Sequence, residues 1–398
     1  MKKYDFDCVI DRHGTAAVKY EGLDAMFGRH DVTPLWIADL DFAVCPDIVA
    51  ALKRRLEHPV LGYSEAPESY WQAIIDWQRR RHDFTIERHE LAFVPGVVKG
   101  IAYAVNFFTQ PGDRIVIQPP VYHPFRMVIE GNFRRVVENP LIFDGKSYHM
   151  DLEGLRRVID YERPRMMILC NPHNPIGIQW DRDTLTEVAR ICRSSGVVVV
   201  SDEIHGDLML GGGKHLPFVD SCEEARSIAI TLGAPSKTFN IPGLVSSWMV
   251  VKGDALRRDF YKWLEANEFS APVMISTIGA EAAYTAGEQW LDEMLEYVAD
   301  NITFVENYLH EHLCGKVTMV RPEASFLVWL NFNELGLSQE ELMHLLLDKA
   351  HLALNDGAMF GRQGLGFMRL NVGTPRCVLA QALDHIKSAI NSTIPPCR

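Results

Sequence analysis

Between about residues 90 and 250, short runs of β-branched and apolar residues alternate with amphipathic helical stretches, and no other feature of the chain constrains its fold so tightly. DRIVIQPP (113–120), RMMILCNP (165–172), GVVVVSDE (196–203), SIAITLGAPS (227–236) and VSSWMVV (245–251) read as buried strands, with a crossover helix over 181–195. Alternation of this kind predicts an α/β fold: a mostly parallel sheet covered by helices on both faces. Upstream, PDIVAALKRRLEH (46–58) reads as a helix opened by Pro and Asp, with Ile48, Val49, Leu52 and Leu56 on one apolar stripe. Residues 1–45 hold many turn formers and few periodic runs, which suggests an extended arm. From about 285, long amphipathic helices precede the strand-like ASFLVWLNF and FMRLNVG, an α+β pattern. The expected division is a large domain over 46–285, and a smaller α+β domain over 286–398 joined by the arm 1–45.

A chain of 398 residues with a formal charge of −12 lacks the basic footprint of a nucleic-acid binder. No apolar run approaches the roughly 20 residues that span a bilayer, and MKKYDFDCVIDRHG has no apolar h-region behind its lysines. The eight cysteines (Cys8, Cys45, Cys170, Cys192, Cys222, Cys314, Cys377 and Cys397) are scattered without paired spacing, as reduced thiols are. The expectation is a cytoplasmic enzyme or binding protein with no membrane partner.

Open parallel sheets bind ligands beyond the carboxyl ends of their strands, so the residues there are the place to look for chemistry. RMMILC runs into NPHNPIG, whose prolines stop the strand and aim Asn171 and Asn174; an Asx turn would use the same residues. GVVVV runs into SDEIH, placing Asp202 where a charge is costly unless a cation meets it, with His205 three residues on. An N-cap or a structural ion pair is the alternative for Asp202. SIAITLGAPS delivers Lys237, with Ser236 before it. VPGVVKG (94–100) offers a helix start suited to a phosphate, and QPPVYHPF fixes Tyr122 among prolines where a ring could stack on a flat ligand or simply fill core. Jointly these residues match one ligand. Pyridoxal 5′-phosphate has an aldehyde for a lysine, a ring nitrogen for a carboxylate, a phenolic oxygen for a donor, a face for stacking and a phosphate for a helix start.

These motifs, together with LWIADLDF (35–42), GYS (62–64), APSKTFNIPGL and FGRQGLGFMRLNVGTPR (360–376), resemble the fold-type I pyridoxal-phosphate enzymes of the aminotransferase superfamily. Within it, WIADLDF, NPHNP, SDEIH and SKTFN resemble the MalY/PatB-type cystathionine β-lyases, or C–S lyases. The resemblance implies an aspartate-aminotransferase-like large domain with a seven-stranded-type sheet, a homodimer, and β-elimination on cystathionine or related cysteine S-conjugates to thiol, pyruvate and ammonia. It also implies roles. Lys237 would bond the cofactor and act as the base; Asp202 would pair with its ring nitrogen and Asn174 with its phenolic oxygen, with His205 nearby. Tyr122 would stack on the ring. The N–H groups of Val98 and Lys99, with Ser236, would hold the phosphate, and Tyr63 would reach it from the partner subunit. Arg369 would clamp the α-carboxylate of an amino-acid substrate, with Ala38 lying over it; no metal is implied.

Two positions depart from the aminotransferase pattern: Val245 stands where an arginine is common, and Ala234 where a serine is common. Phosphate contacts must then come from backbone, Ser236 and Tyr63. An aminotransferase shares all the main residues and is the first alternative, and a cofactor-bound regulatory protein is the second. No G-x-G-x-x-G follows a strand, GGGK (211–214) lacks the rest of a P-loop, and no G-x-S-x-G elbow is present. His310, His312 and Cys314 fall on diverging faces of a helical run, a poor zinc geometry.

Overall fold

MMILC and VVVSD are apolar along nearly their whole length because the strands they form are covered on both faces. In the computed structural model, which describes residues 3–393, they belong to one seven-stranded sheet. Its strands are β1 (Leu91–Val94), β2 (Arg114–Ile117), β3 (Arg135–Glu138), β4 (Met166–Cys170), β5 (Val198–Asp202), β6 (Ala229–Gly233) and β7 (Ser247–Val250). The spatial order is β1-β7-β6-β5-β4-β2-β3. β2 to β6 pair in parallel, while β7 runs antiparallel to both of its neighbours. The mostly parallel sheet expected from the sequence is the one observed. Successive residues alternate between two cores: in β4, Met167 and Leu169 enter one, and Met166, Ile168 and Cys170 the other. Each fully buried aliphatic side chain contributes about 1.5–3 kcal/mol.

The helices that matter here are α1 (Pro46–Leu56), α2 (Glu68–His82), α3 (Val97–Phe108), α4 (Arg182–Ser194), α5 (Met274–Ala286) and α6 (Glu288–Leu313). α4 is the expected crossover, capped by the Asp181 carboxylate on the Thr184 N–H at 2.7 Å. In α1 the apolar stripe is narrower than its sequence suggests. Ile48 is buried and Leu52 packs partly against the core, but Val49 and Leu56 face solvent, because only one edge of this helix meets α5. α3 begins after Gly96, whose φ of 116° no β-branched residue would tolerate. One turn on, a Cβ at Gly100 would stand 2.8 Å from Leu232 Cδ2, so this glycine lets α3 lie close on β6.

A second sheet, β8 (Thr318–Val320), β9 (Leu327–Asn331), β10 (Asn355–Asp356) and β11 (Phe367–Asn371), is antiparallel in the order β8-β9-β11-β10. α6 buries a stripe from Trp290 to Leu313, and its Asn301 amide donates to the carbonyls of Val372 and Thr374, anchoring the exit of β11. The first 45 residues are less extended than expected. They form two short helices, Val18–Glu21 and Leu23–Phe27, before Thr33–Pro34 pairs in parallel with Leu352–Ala353. The reason is a buried cation: Lys19 is fully enclosed and paired with Asp41 at 2.8 Å, while Leu23 and Trp36 build a small core with Val32 and Ala353. Among the described residues no helix is long and apolar enough to cross a membrane, and seven of the cysteines are free thiols; Cys397 lies outside the described residues.

Candidate active site

Parallel pairing brings the carboxyl ends of β4, β5 and β6 to one edge. Cys170 and Asp202 are register partners at the ends of their strands, and Asp202 is in turn aligned with Leu232. Beyond β6 a single helical turn, Pro235–Thr238, carries Lys237 back over that edge. The space between these strand ends and the first turn of α3 is a cavity of about 300 Å³. Ala38, Val98, Lys99, Tyr122, Asn174, Asp202, His205, Ser236 and Lys237 all line it. Nine residues singled out from sequence therefore converge on one space, although they are spread over two hundred positions of the chain.

Arg369 enters from β11, outside the lining itself but bonded to it. One Nη donates to Asn174 Oδ1 at 3.0 Å, and the other to the Trp36 carbonyl at 3.1 Å and Asn355 Oδ1 at 2.5 Å. These acceptors are all neutral, and Nε has no partner. Burial pulls this guanidinium down to about 10. A buried cation held only by neutral oxygens still calls for an anion. Tyr63 stands apart: it is fully exposed, in the run 60–67 without regular structure, and touches nothing in the cavity.

The electrostatics of the cavity are unusual. Burial pushes the Asp202 carboxyl up to about 7, against the pull of the Ile204 N–H at 3.1 Å and of Lys237. Burial also brings the Lys237 ammonium down to about 8; Asp39 and Asp202 oppose that shift, and Arg369 adds to it. His205 is enclosed and held near 3, a neutral ring whose Nδ1 has no partner. Lys237 Nζ donates to the Ala38 carbonyl, which places the arm segment directly above the amine.

Several contributors escaped the sequence reading. Asn240, three residues after Lys237, takes the Leu40 N–H and donates to the carbonyls of Leu40 and Phe42, which pins the arm over the cavity. Asp39 is gripped by Arg12 at 2.6 Å and sets part of the field at Lys237. Ser246 and Ser247 line the cavity beside Val245, at the start of β7. Cys170 also lines it, through a thiol that burial pushes well above its ordinary range. Only APSKTFN could have hinted at one of these, since a second short polar side chain follows the lysine at close range.

Pyridoxal phosphate suits the residues present. Asp202 has carboxylate acceptor capacity beyond its one N–H partner, in a place where a cation would restore its charge. The free N–H groups of the first turn of α3 border the cavity, that turn carries no acidic residue, and Ser236 adds a hydroxyl. Lys237 is a half-buried amine with a depressed pKa, the condition for attack on an aldehyde near neutral pH.

Comparison with known proteins extends this geometry. The family described as aminotransferase class I and II matches residues 30–386. Cystathionine beta-lyase PatB of Bacillus subtilis is 40% identical over 387 residues, which covers 97% of this chain and 100% of that protein. Cystalysin from Treponema denticola, solved with a pyridoxal 5′-phosphate cofactor, superposes with a TM-score of 0.93 at 30% identity, covering 98% of this chain and 99% of its own. The pyridoxal-phosphate-bound C–S lyase from Staphylococcus hominis gives 0.90 at 29% identity, covering 97% and 98%.

Proposed function

The chain belongs to the class I and II aminotransferase family, and we propose that it acts there as a pyridoxal-phosphate-dependent C–S β-lyase on cystathionine or a related cysteine S-conjugate. The observation that carries this is the convergence of a half-buried, depressed lysine and a buried carboxylate on one cavity, in a chain that matches a cystathionine β-lyase over that protein's whole length.

Each residue has a defined task. Arg369 would grip the substrate α-carboxylate through two parallel N–H···O bonds, exchanging neutral acceptors for the anion its burial lacks. Asp202 would hold the ring nitrogen of the cofactor in its protonated form, and Asn174 would donate to the phenolic oxygen. Tyr122 would stack on the ring, with the neutral His205 alongside. The N–H groups of Val98 and Lys99 and the Ser236 hydroxyl would take the phosphate. Pyridoxal phosphate, when bound, supplies the electron sink for the charge left at the substrate Cα. Lys237 Nζ, depressed toward neutrality, would take the Cα proton. Cleavage of the Cβ–S bond then releases thiolate, and hydrolysis of the remaining enamine yields pyruvate and ammonia. The Ala38 carbonyl, already within reach of Nζ, would keep that amine aimed while the arm excludes water.

We assign the same division the sequence suggested, a large domain over 46–285 and a small one over 286–398 with the arm 1–45. We also assign a homodimer and a cytoplasmic location. Val60, Leu61 and Tyr63 form an exposed apolar run on the single chain, and a second copy would bury it and bring Tyr63 to the neighbouring cavity.

Purified holoenzyme given cystathionine should release thiol and pyruvate in equal amounts. Amino-group transfer to a keto acid without thiol release would replace this reading with an aminotransferase. A second expectation concerns Asp39. Its carboxylate raises the affinity of the Lys237 nitrogen for a proton, so Asp39→Asn removes that support. The pH midpoint of the absorbance of the lysine-bound cofactor should therefore move to lower pH; a shift upward, or none, would contradict the field assigned to Asp39.

A further inference from the structure

Asp207 lies five residues beyond Asp202, in the short turn Gly206–Leu208 that follows the strand end. It is buried, and all of its partners are donors. Trp77 Nε1 reaches Oδ1 at 2.8 Å, His82 Nε2 reaches the same oxygen at 2.6 Å, and Thr238 Oγ1 reaches Oδ2 at 2.8 Å. Burial would raise this carboxyl, but the three donors more than offset it and hold the group below its ordinary range. Trp77 and His82 belong to the C-terminal half of α2, and Trp77 also packs edge-on against Phe239 at 5.3 Å. Thr238 ends the helical turn that carries Lys237. One carboxylate thus bolts three elements together: the end of α2, the turn after β5 and the turn bearing the lysine.

The charges felt by Lys237 are those of Asp39, Arg369 and Asp202. What Asp207 can transmit is position, through the Thr238 hydroxyl on the C-terminal side of the lysine. The other acceptor of Thr238, the Ala234 carbonyl, is 3.4 Å away along the same turn and gives no lateral hold. We propose that the Asp207–Thr238 hydrogen bond is a positioning device that sets where the Lys237 amine stands relative to Asp202 and the substrate Cα. The proposal rests on Lys237 being the cofactor-bearing residue. Neither side chain lines the cavity, so both act through Lys237. A small misplacement of a reacting group can cost about 10²-fold in rate, so the bolt is expected to matter for turnover more than for affinity.

The test compares Thr238→Val, which keeps shape but loses the hydroxyl, with Thr238→Ser, which restores it, and with Asp207→Asn. An amide at 207 must turn an N–H toward at least one of the donors. In the holoenzyme, Thr238→Val and Asp207→Asn should lower kcat for thiol release about tenfold with KM within twofold of wild type. The pH midpoint of the absorbance of the lysine-bound cofactor should move in the same variants, and Thr238→Ser should restore both readouts. Variants that lose thermal stability while kcat and that midpoint stay at wild-type values would overturn the proposal, since a bolt that only holds the fold predicts that pattern. The absorbance midpoint needs no substrate. If the wild type released no thiol, the lyase reading would fail while the midpoint still decided the role of Thr238.

Discussion

Lys237→Ala should leave a folded protein that binds pyridoxal phosphate without a covalent bond and releases thiol about 10²- to 10⁴-fold more slowly, the range lost with a positioned general base. The reason is local. Among the described residues two lysines line the cavity: Lys237, on the turn beyond the strand that neighbours the strand of Asp202, and Lys99, in the first turn of α3. Borohydride treatment of wild-type holoenzyme, followed by peptide mass analysis, should place the reduced cofactor on Lys237, and the variant should carry no adduct. An adduct on Lys99 in the wild type would overturn the assignment. So would unimpaired turnover by the variant.

Asp202→Asn should cost about 10²- to 10³-fold in kcat while the covalent bond at Lys237 persists. Asparagine can still accept from the Ile204 N–H, so the strand end keeps its shape. What it removes is the charge facing a cation, and breaking one side of a buried ion pair costs about 3–5 kcal/mol. The same residue predicts a stability effect of opposite sign in the cofactor-free protein. Its carboxyl titrates near 7 when folded instead of the ordinary 3.8, so the proton-bearing form favours the fold. That contribution is fully present below about pH 4 and is lost as pH rises through about 7. Cofactor-free wild type should therefore lose Tm between about pH 4 and 7, and Asp202→Asn should lose less. Equal losses would show that the group is already ionised in the empty cavity.

The strand ends were legible because a parallel strand covered on both faces has little freedom in its composition. Four valines and a serine followed by an aspartate leave the carboxylate at the sheet edge, and the same logic placed Asn174 and Lys237. The first turn of α3 was legible from Pro-Gly and a glycine one turn later. What stayed hidden depends on contacts between distant segments. Lys19 reads as a surface lysine, yet it is enclosed because Asp41 is folded onto it. Asp39 and Asp207 look like ordinary acids until the chain brings Arg12, Lys237 and Thr238 to them. Val49 and Leu56 have the right period for a buried face, but periodicity does not say how wide the neighbouring helix is. Tyr63 is of another kind, since nothing within one chain gives its ring a purpose.

The segment roofing the cavity comes from the first tenth of the chain, and part of what fastens it comes from near the other end. Leu35 bonds to Ala353 and Asn371, and the Asn371 amide holds the carbonyls of Ile37 and Asp39, the former across 334 residues. During synthesis, then, the strand ends and Lys237 are complete long before their roof can be fully fastened. Until β11 has left the ribosome, the arm of a nascent chain can meet Asn240 and Lys237 but lacks the fastening that Asn371 supplies. The enzyme is shut by its oldest residues and locked by its youngest.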